Sequence, residues 1–172
     1  MALRDPRTEQ PSRWARPGLE GVGFEGWHRF GDIRQHLGSI PTSAGGVYVV
    51  YREATEPPKF LARSPAGRWR GDPSEDVAVL TKRWIEGVGI VNIGKAKHGQ
   101  LRRRLRAFHS FGSGGSARHA GGRYVWQLAD AWDCLIAWRE EPIGVVPRDV
   151  EKAMIADFYA EYGKRPFANI SG

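Results

Sequence analysis

One carboxylate stands out because it lies among apolar residues in a predicted amphipathic helix over residues 148–162. When that segment is projected at about 100° per residue, Glu151 falls inside the apolar stripe of the helix. A carboxylate in such a place is costly unless a positive group, a hydrogen-bond donor or a hard cation meets it. Two interpretations of Glu151 follow, and they are a core-edge ion pair or a metal-binding, catalytic carboxylate.

A second chemical group is an arginine on the helix predicted over residues 100–111. The buried seam of this helix is predicted to consist of Leu101, Leu105 and Phe108. Arg104 is the arginine closest to that seam, so its guanidinium can reach a site between the helix and a sheet. A guanidinium fixed in this way can bind a phosphate with two parallel hydrogen bonds.

Positive charge is concentrated in one interval of the chain. The formal net charge is +7, and no aspartate or glutamate occurs between Glu86 and Asp130. This interval also carries the cations that are suited to sequence-independent contacts with a nucleic-acid backbone: Lys95, Lys97, Arg102, Arg103, Arg106, Arg118 and Arg123. Such a distribution favours a nucleic-acid partner. A solvated helix face that is paired with acids elsewhere in the fold gives the same pattern.

Three strands and several helices are predicted to position these groups. The β-branched and aromatic runs predict strands over residues 46–52, 88–94 and 133–140. Helices are predicted over residues 27–37, 74–87, 100–111 and 148–162, with Ser74 as an N-cap and Gly163 as a stop. Because this order has too few parallel crossovers for a doubly wound fold, it predicts an α+β domain with a small mixed sheet flanked by helices.

The chain is expected to form one domain over residues 27–172. Residues 1–26 are rich in Arg, Pro, Gly and Glu, and they are predicted to be a poorly ordered arm or a strap that orders on packing. Cys134 is the single cysteine, which excludes an intrachain disulfide. No segment has the roughly 20 apolar residues of a membrane span. We therefore expect a cytoplasmic protein without a membrane partner.

Five short motifs occur in an order that resembles the GIY-YIG nuclease superfamily. The motifs are GVY (46–48), NIGKA (92–96), LRRRL (101–105), VEKAMI (150–155) and PFAN (166–169). The resemblance covers about residues 45–170. It implies a small, mainly antiparallel three-stranded sheet flanked by helices, with a β-β-α-β-α core, and metal-dependent cleavage of nucleic acid. Relative to minimal family members, about residues 53–87 form a long insertion, which could carry target recognition or be structural only.

The resemblance implies a role for each candidate catalytic residue. Tyr48 is expected to orient or deprotonate the attacking water, Arg104 to stabilise charge on the scissile phosphate, and Glu151 to bind Mg²⁺ or Mn²⁺. Asn169 matches the asparagine that closes the site, and His119 matches a loop histidine of some members. By residue type alone, Tyr48 also fits a strand aromatic, Asn169 a turn residue and His119 a surface histidine.

Asn92 is the main departure from the family pattern, because it replaces the tyrosine of the second motif. An asparagine can position a water by hydrogen bonds, but it has no ionisable hydroxyl. The sequence therefore predicts a divalent-metal-dependent endonuclease that acts on DNA. The alternative is a catalytically weakened, nucleic-acid-binding module with the same fold.

Overall fold

A four-stranded sheet is the centre of the computed structural model, which describes residues 12–68, 70–116 and 119–170. The strands are β1 (Glu25–Arg29), β2 (Gly46–Tyr51), β3 (Ile90–Ala96) and β4 (Leu135–Glu140). They lie in the order β1-β4-β2-β3, and each adjacent pair is antiparallel, so the expectation of a mixed sheet is wrong. The predicted α+β class is confirmed, and β3 is an edge strand of the sheet.

Five α-helices accompany the sheet in the described part of the chain. They are α1 (Arg16–Gly21), α2 (Ile33–His36), α3 (Val77–Arg83), α4 (Leu101–Gly112) and α5 (Pro147–Tyr162). The described ranges also contain 3₁₀ helices at Phe30–Asp32, Leu37–Ser39, Ala120–Gln127 and Ala131–Asp133. Within these ranges, we find no helix with both the length and the apolar character needed to cross a bilayer.

The two long helices lie on opposite faces of the sheet. Tyr48 and Val50 of β2 belong to the apolar cluster that contains the buried side chains of α4. Val47 and Val49 alternate with them and belong to a second cluster, which contains Phe158 of α5. This alternation is the period-two pattern of a strand that is covered on both faces. The sheet therefore holds α4 and α5 at fixed positions on either side of its edge strand.

Both predicted long helices are confirmed, and so is the seam of α4. All three predicted seam residues are fully buried: Leu101, Leu105 and Phe108. Helix α5 begins with Pro147 at its first turn and ends before Gly163, which has a left-handed φ of 67°. A glycine at this position closes the helix without the steric cost of a side chain. Because α5 begins at Pro147, Glu151 lies in the second turn of this helix.

The prediction of three strands is wrong by one strand. Strand β1 overlaps the segment where the sequence predicts a helix over residues 27–37, and only Ile33–His36 of that segment is α-helical. Strand β1 pairs with β4 around a bulge at Gly26–His28. Gly26 has a φ of 99°, and a Cβ built there would lie 2.4 Å from the Trp138 ring. The pairing with β4 is a long-range interaction, which a local helical pattern does not encode.

The segment from residue 12 to residue 26 packs against the α5 face of the sheet. Trp14, Leu19 and Phe24 are buried in the same cluster as Phe158. The indole Nε1 of Trp14 also donates a hydrogen bond of 2.8 Å to Glu161 of α5. The remainder of the predicted arm, residues 1–11, lies outside the described residues.

The insertion between β2 and β3 packs against the C-terminal segment of the chain. Its helix α3 is shorter than the predicted helix over residues 74–87. The N-cap of α3 is Asp76 rather than Ser74, because the Asp76 carboxylate accepts a hydrogen bond of 2.7 Å from Ala78 N. Arg83 of α3 donates to the Phe167 and Asn169 carbonyls at 3.0 and 2.9 Å. The insertion thereby fixes the segment that carries Asn169.

Candidate active site

A cavity of about 1000 Å³ opens along β3, between α4 and α5. All six candidate catalytic residues line it: Tyr48, Asn92, Arg104, His119, Glu151 and Asn169. They come from two strands, two helices, a loop and the C-terminal segment, so only the tertiary fold brings them together. Polar groups that converge on one cavity from distant parts of a chain are typical of a functional site.

The Tyr48 ring reaches the cavity by lying across a glycine of the edge strand. Tyr48 is directly opposite Gly94 in the pairing of β2 with β3. A Cβ built on Gly94 would lie 2.3 Å from Cζ and 2.4 Å from Oη of Tyr48. Any side chain at residue 94 would therefore occupy the space of the phenol. Gly94 is part of β3, and its absent side chain is what admits the tyrosine.

The Tyr48 hydroxyl forms a buried hydrogen bond with His119. The Oη and Nε2 atoms are 3.1 Å apart, and the imidazole stacks on Phe108 with a centroid distance of 3.8 Å. Burial raises the pKa of Tyr48 above its usual 10.0. Burial, and next the positive charge of Arg104, hold the pKa of His119 well below 6.5. Both groups are therefore neutral at pH 7, and the histidine tautomer decides which of them donates the hydrogen bond.

Arg104 lies close to this tyrosine–histidine pair. Its positive charge lowers the pKa of His119, and it opposes the burial that raises the pKa of Tyr48. The Arg104 guanidinium also hydrogen bonds with the Tyr48 phenol. The arginine nearest the apolar seam is thus held in the cavity, where an anion bound beside Tyr48 would meet it.

Glu151 forms an ion pair with a lysine of the edge strand. The Lys95 Nζ is 2.5 Å from the Glu151 Oε2, and the two side chains are 37% and 15% exposed. Of the described residues that line the cavity, Glu151 is the only acid, whereas six are cations: Lys95, Lys97, Arg103, Arg104, Arg148 and Lys152. The described lining of the cavity is consequently strongly positive, with Glu151 as its single negative group.

The donor set of this cavity fits one kind of metal ion. Within the described ranges there is no cluster of three or more His, Cys, Asp or Glu side chains that could enclose a metal. Mg²⁺ does not require such a cluster, because it keeps several waters and binds through one or two carboxylates together with substrate phosphates. Glu151 could therefore serve as the single protein carboxylate of a hydrated Mg²⁺ ion.

Asn169 pairs with the backbone of the edge strand. Its Oδ1 accepts from Ile93 N at 2.9 Å, and its Nδ2 donates to Ile93 O at 2.8 Å. The same Oδ1 accepts from Asn92 Nδ2 at 3.3 Å. Asn169 thus holds the C-terminal segment on β3, and it holds the Asn92 amide at the wall of the cavity. Both asparagines have structural bonds as well as a place in the site.

The predicted phosphate-contacting cations do not all lie at the cavity. Lys95, Lys97 and Arg103 line it. Arg102 instead donates to the Ile40 carbonyl from Nε at 3.0 Å and to the Gly38 carbonyl at 3.1 Å. These two bonds anchor the loop before β2 to α4, so Arg102 has a structural role that helical projection does not predict.

The other three predicted cations have different surroundings. Arg106 is exposed on α4, outside the residues that line the cavity. Arg123 is 3.9 Å from Glu75, and its guanidinium lies over the Tyr124 ring. Arg118 lies outside the described residues. Only some of the cations between Glu86 and Asp130 therefore line the cavity.

Two cations of the site were missed because they lie outside the acid-free interval. Arg148 and Lys152 are on α5, on either side of Glu151 in the sequence, and both line the cavity. Their spacing of four residues places them on one face of the helix. That spacing around the anomalous Glu151 is the signal from which they could have been found.

Comparisons of the chain with protein-family models, with curated proteins and with solved structures found no match. The chemistry open to the described cavity depends on four features: the buried tyrosine–histidine pair, the adjacent arginine, the one carboxylate of the described lining and the surrounding cations.

Proposed function

We propose that the protein is a divalent-metal-dependent endonuclease of the GIY-YIG type, which hydrolyses phosphodiester bonds in DNA. The observation that carries the proposal is the convergence of Tyr48, Arg104 and Glu151 on one cation-lined cavity. Arg104 can bind a phosphate, Tyr48 can position a water, and Glu151 can hold a metal ion that neutralises charge on the phosphate. The three groups line the same cavity, and burial together with the charge of Glu151 raises the pKa of Tyr48.

The cations of the cavity bind the nucleic-acid backbone. Lys97 and Arg103 lie on the β3–α4 side, whereas Arg148 and Lys152 lie on α5. A strand that enters between the two helices meets positive charge on both sides. Each phosphate that is neutralised releases counterions, so the affinity should fall steeply with salt.

Tyr48 and Arg104 act on the reacting atoms. The neutral Tyr48 hydroxyl, held by His119, accepts a hydrogen bond from the attacking water and orients it towards phosphorus. Arg104 donates to a phosphoryl oxygen, where negative charge grows in the transition state. A Mg²⁺ ion held by Glu151 would supply Lewis-acid stabilisation of the same charge. Loss of one such electrostatic group typically slows catalysis by about 10²- to 10³-fold.

A nucleic-acid-binding module with weakened chemistry is the second candidate function. Two observations favour it: the Asn92 amide donates a hydrogen bond to Asn169, and Lys95 forms an ion pair with Glu151. A site with these two contacts can bind phosphate through its cations without activating a water. The two candidates predict the same salt-sensitive binding and differ only in cleavage.

A cleavage assay separates the two candidates. Purified protein is incubated with supercoiled plasmid and with single-stranded DNA, in Mg²⁺, in Mn²⁺ or in chelator, beside Glu151→Ala and Arg104→Ala. The endonuclease proposal predicts nicking that requires metal and that each substitution slows by about 10²- to 10³-fold. Salt-sensitive DNA binding without cleavage would establish the binding module instead. Cleavage that survives Glu151→Ala would reject the assigned site.

A further inference from the structure

The contact between Lys95 and Glu151 places an ammonium on the only acidic group of the described cavity lining. Lys95 is on the α5 face of β3, opposite Val47, and its Nζ lies 2.5 Å from Oε2 of Glu151. Glu151 is mostly buried, whereas more than a third of the Lys95 side chain is exposed. The carboxylate is therefore fixed by α5, and the lysine is the partner with room to move.

A divalent cation and the Lys95 ammonium compete for the same carboxylate. One carboxylate neutralises one unit of charge, and five further cations are among the described residues that line the cavity. A cation that displaced Lys95 would leave its ammonium in an already positive surrounding, which is unfavourable. An incoming phosphate removes this obstacle, because the lysine can turn on its flexible four-carbon stem and bind the phosphate oxygens.

We propose that Lys95 occupies Glu151 in the free protein and transfers to a phosphate when nucleic acid binds, which opens Glu151 to a divalent cation. The inference rests on the proposed function and adds a binding order to it. Metal and nucleic acid then bind with positive cooperativity, and each raises the affinity for the other by the same factor. Couplings of this kind usually amount to about 5- to 150-fold. Lys95 is a positioning residue in this scheme.

The test measures Mn²⁺ affinity of the full chain by calorimetry, with Mn²⁺ electron paramagnetic resonance as a second readout. Wild type and Lys95→Gln are compared without DNA. Both are then compared in a Tyr48→Phe background with a short oligodeoxynucleotide, so that the DNA stays intact. We expect Lys95→Gln to bind Mn²⁺ about tenfold more tightly than wild type without DNA. We also expect the oligonucleotide to raise the affinity at least fivefold with Lys95 present, and less without it.

Two controls make the result specific. Lys97→Gln removes a neighbouring cavity lysine that is not the partner of Glu151, so its effect on Mn²⁺ affinity should be smaller than that of Lys95→Gln. Glu151→Gln should abolish the site in either background. Thermal unfolding confirms that each variant is folded, and Lys95→Met replaces Lys95→Gln if the latter is not.

Each outcome is decisive for the inference. An unchanged or weaker Mn²⁺ affinity in Lys95→Gln, or an equal gain from the oligonucleotide in both proteins, overturns it. Metal-dependent cleavage by a wild type whose Lys95→Gln variant shows no tighter Mn²⁺ binding would reject the lysine transfer and leave the endonuclease proposal intact. Tighter Mn²⁺ binding by Lys95→Gln, with a smaller gain from the oligonucleotide and no cleavage by wild type, would support the transfer and reject the endonuclease.

Discussion

The close contact between Gly94 and Tyr48 gives a sharp prediction for the substitution Gly94→Ala. The new Cβ would lie 2.3 Å from Cζ of Tyr48, whereas ordinary van der Waals contact begins at 3.4 Å. The ring must therefore retreat by about 1.1 Å, the difference between these two distances. Because hydrogen bonds to a hydroxyl span only about 2.5–3.2 Å, such a shift breaks the 3.1 Å bond to His119.

The cost of Gly94→Ala follows from two contributions. Overpacking a buried site costs about 1–3 kcal/mol, and the lost hydrogen bond costs about 0.5–1.5 kcal/mol. We expect the free energy of unfolding to fall by about 2–4 kcal/mol and the Tm by about 5–15 °C, at about 2–4 °C per kcal/mol. Plasmid nicking should be lost even where the variant is folded, because Tyr48 no longer reaches the water.

Calorimetry and a plasmid-nicking assay measure these two effects. Gly38→Ala is the matched control, since a Cβ at Gly38 meets no heavy atom within 4 Å. A second control is the double variant Gly94→Ala/Tyr48→Ala, in which the ring is absent and the penalty for the added methyl should fall below about 1 kcal/mol. If Gly94→Ala is as stable as Gly38→Ala, or if its stability penalty is unchanged without the Tyr48 ring, the tyrosine does not restrict residue 94 to glycine.

Three further predictions concern the cavity walls and the basic surface. Asn169→Ala should lower the free energy of unfolding in urea by about 2–3 kcal/mol, because it leaves the buried Ile93 amide and carbonyl without their partner; a loss below 0.5 kcal/mol would contradict this role. Burial in the folded state holds the pKa of His119 well below 6.5, whereas in the unfolded chain this pKa is near 6.5. The unfolded state therefore binds more protons below pH 6.5, and the free energy of unfolding should fall there by up to about 1.4 kcal/mol per pH unit. Urea unfolding from pH 7.5 to 5 should show a shallower fall for His119→Gln, and parallel curves would reject the neutral buried histidine. Arg103→Ala should reduce the magnitude of the slope of log affinity against log salt by about 0.7–0.9 in DNA-binding titrations, because it removes one phosphate contact. Arg102→Ala should destabilise the fold and leave that slope unchanged. Equal salt slopes for the two variants would show that they share one role.

The sequence predicts those elements whose pattern is local. The strand runs of β2, β3 and β4 and the apolar seam of α4 depend on neighbouring residues, so periodicity identifies them. Glu151 and Arg104 could be selected in the same way, because each interrupts or borders an apolar stripe. Helical projection also shows which side of a helix a residue is on, and it therefore predicts that Arg104 lies near the sheet.

The remaining features depend on contacts between distant parts of the chain. Strand β1 exists because β4 offers it a free edge, and the helical pattern of residues 27–37 contains no trace of that partner. The pairing of Lys95 with Glu151 joins an edge strand to a helix that lies far along the sequence. Arg102 resembles its neighbours in sequence, yet two loop carbonyls make it structural. Such assignments require the fold.

A double-mutant cycle on single-turnover cleavage can show whether Arg104 and Glu151 act on one phosphate in one cavity. The cycle compares wild type, Arg104→Ala, Glu151→Ala and the double variant on the same DNA in Mg²⁺. Groups that act as a unit give non-additive losses, so the double variant should cleave no more slowly than the slower single variant. Rate losses that multiply would show that Arg104 and Glu151 act separately, and a wild-type rate in either single variant would show that its residue takes no part in cleavage.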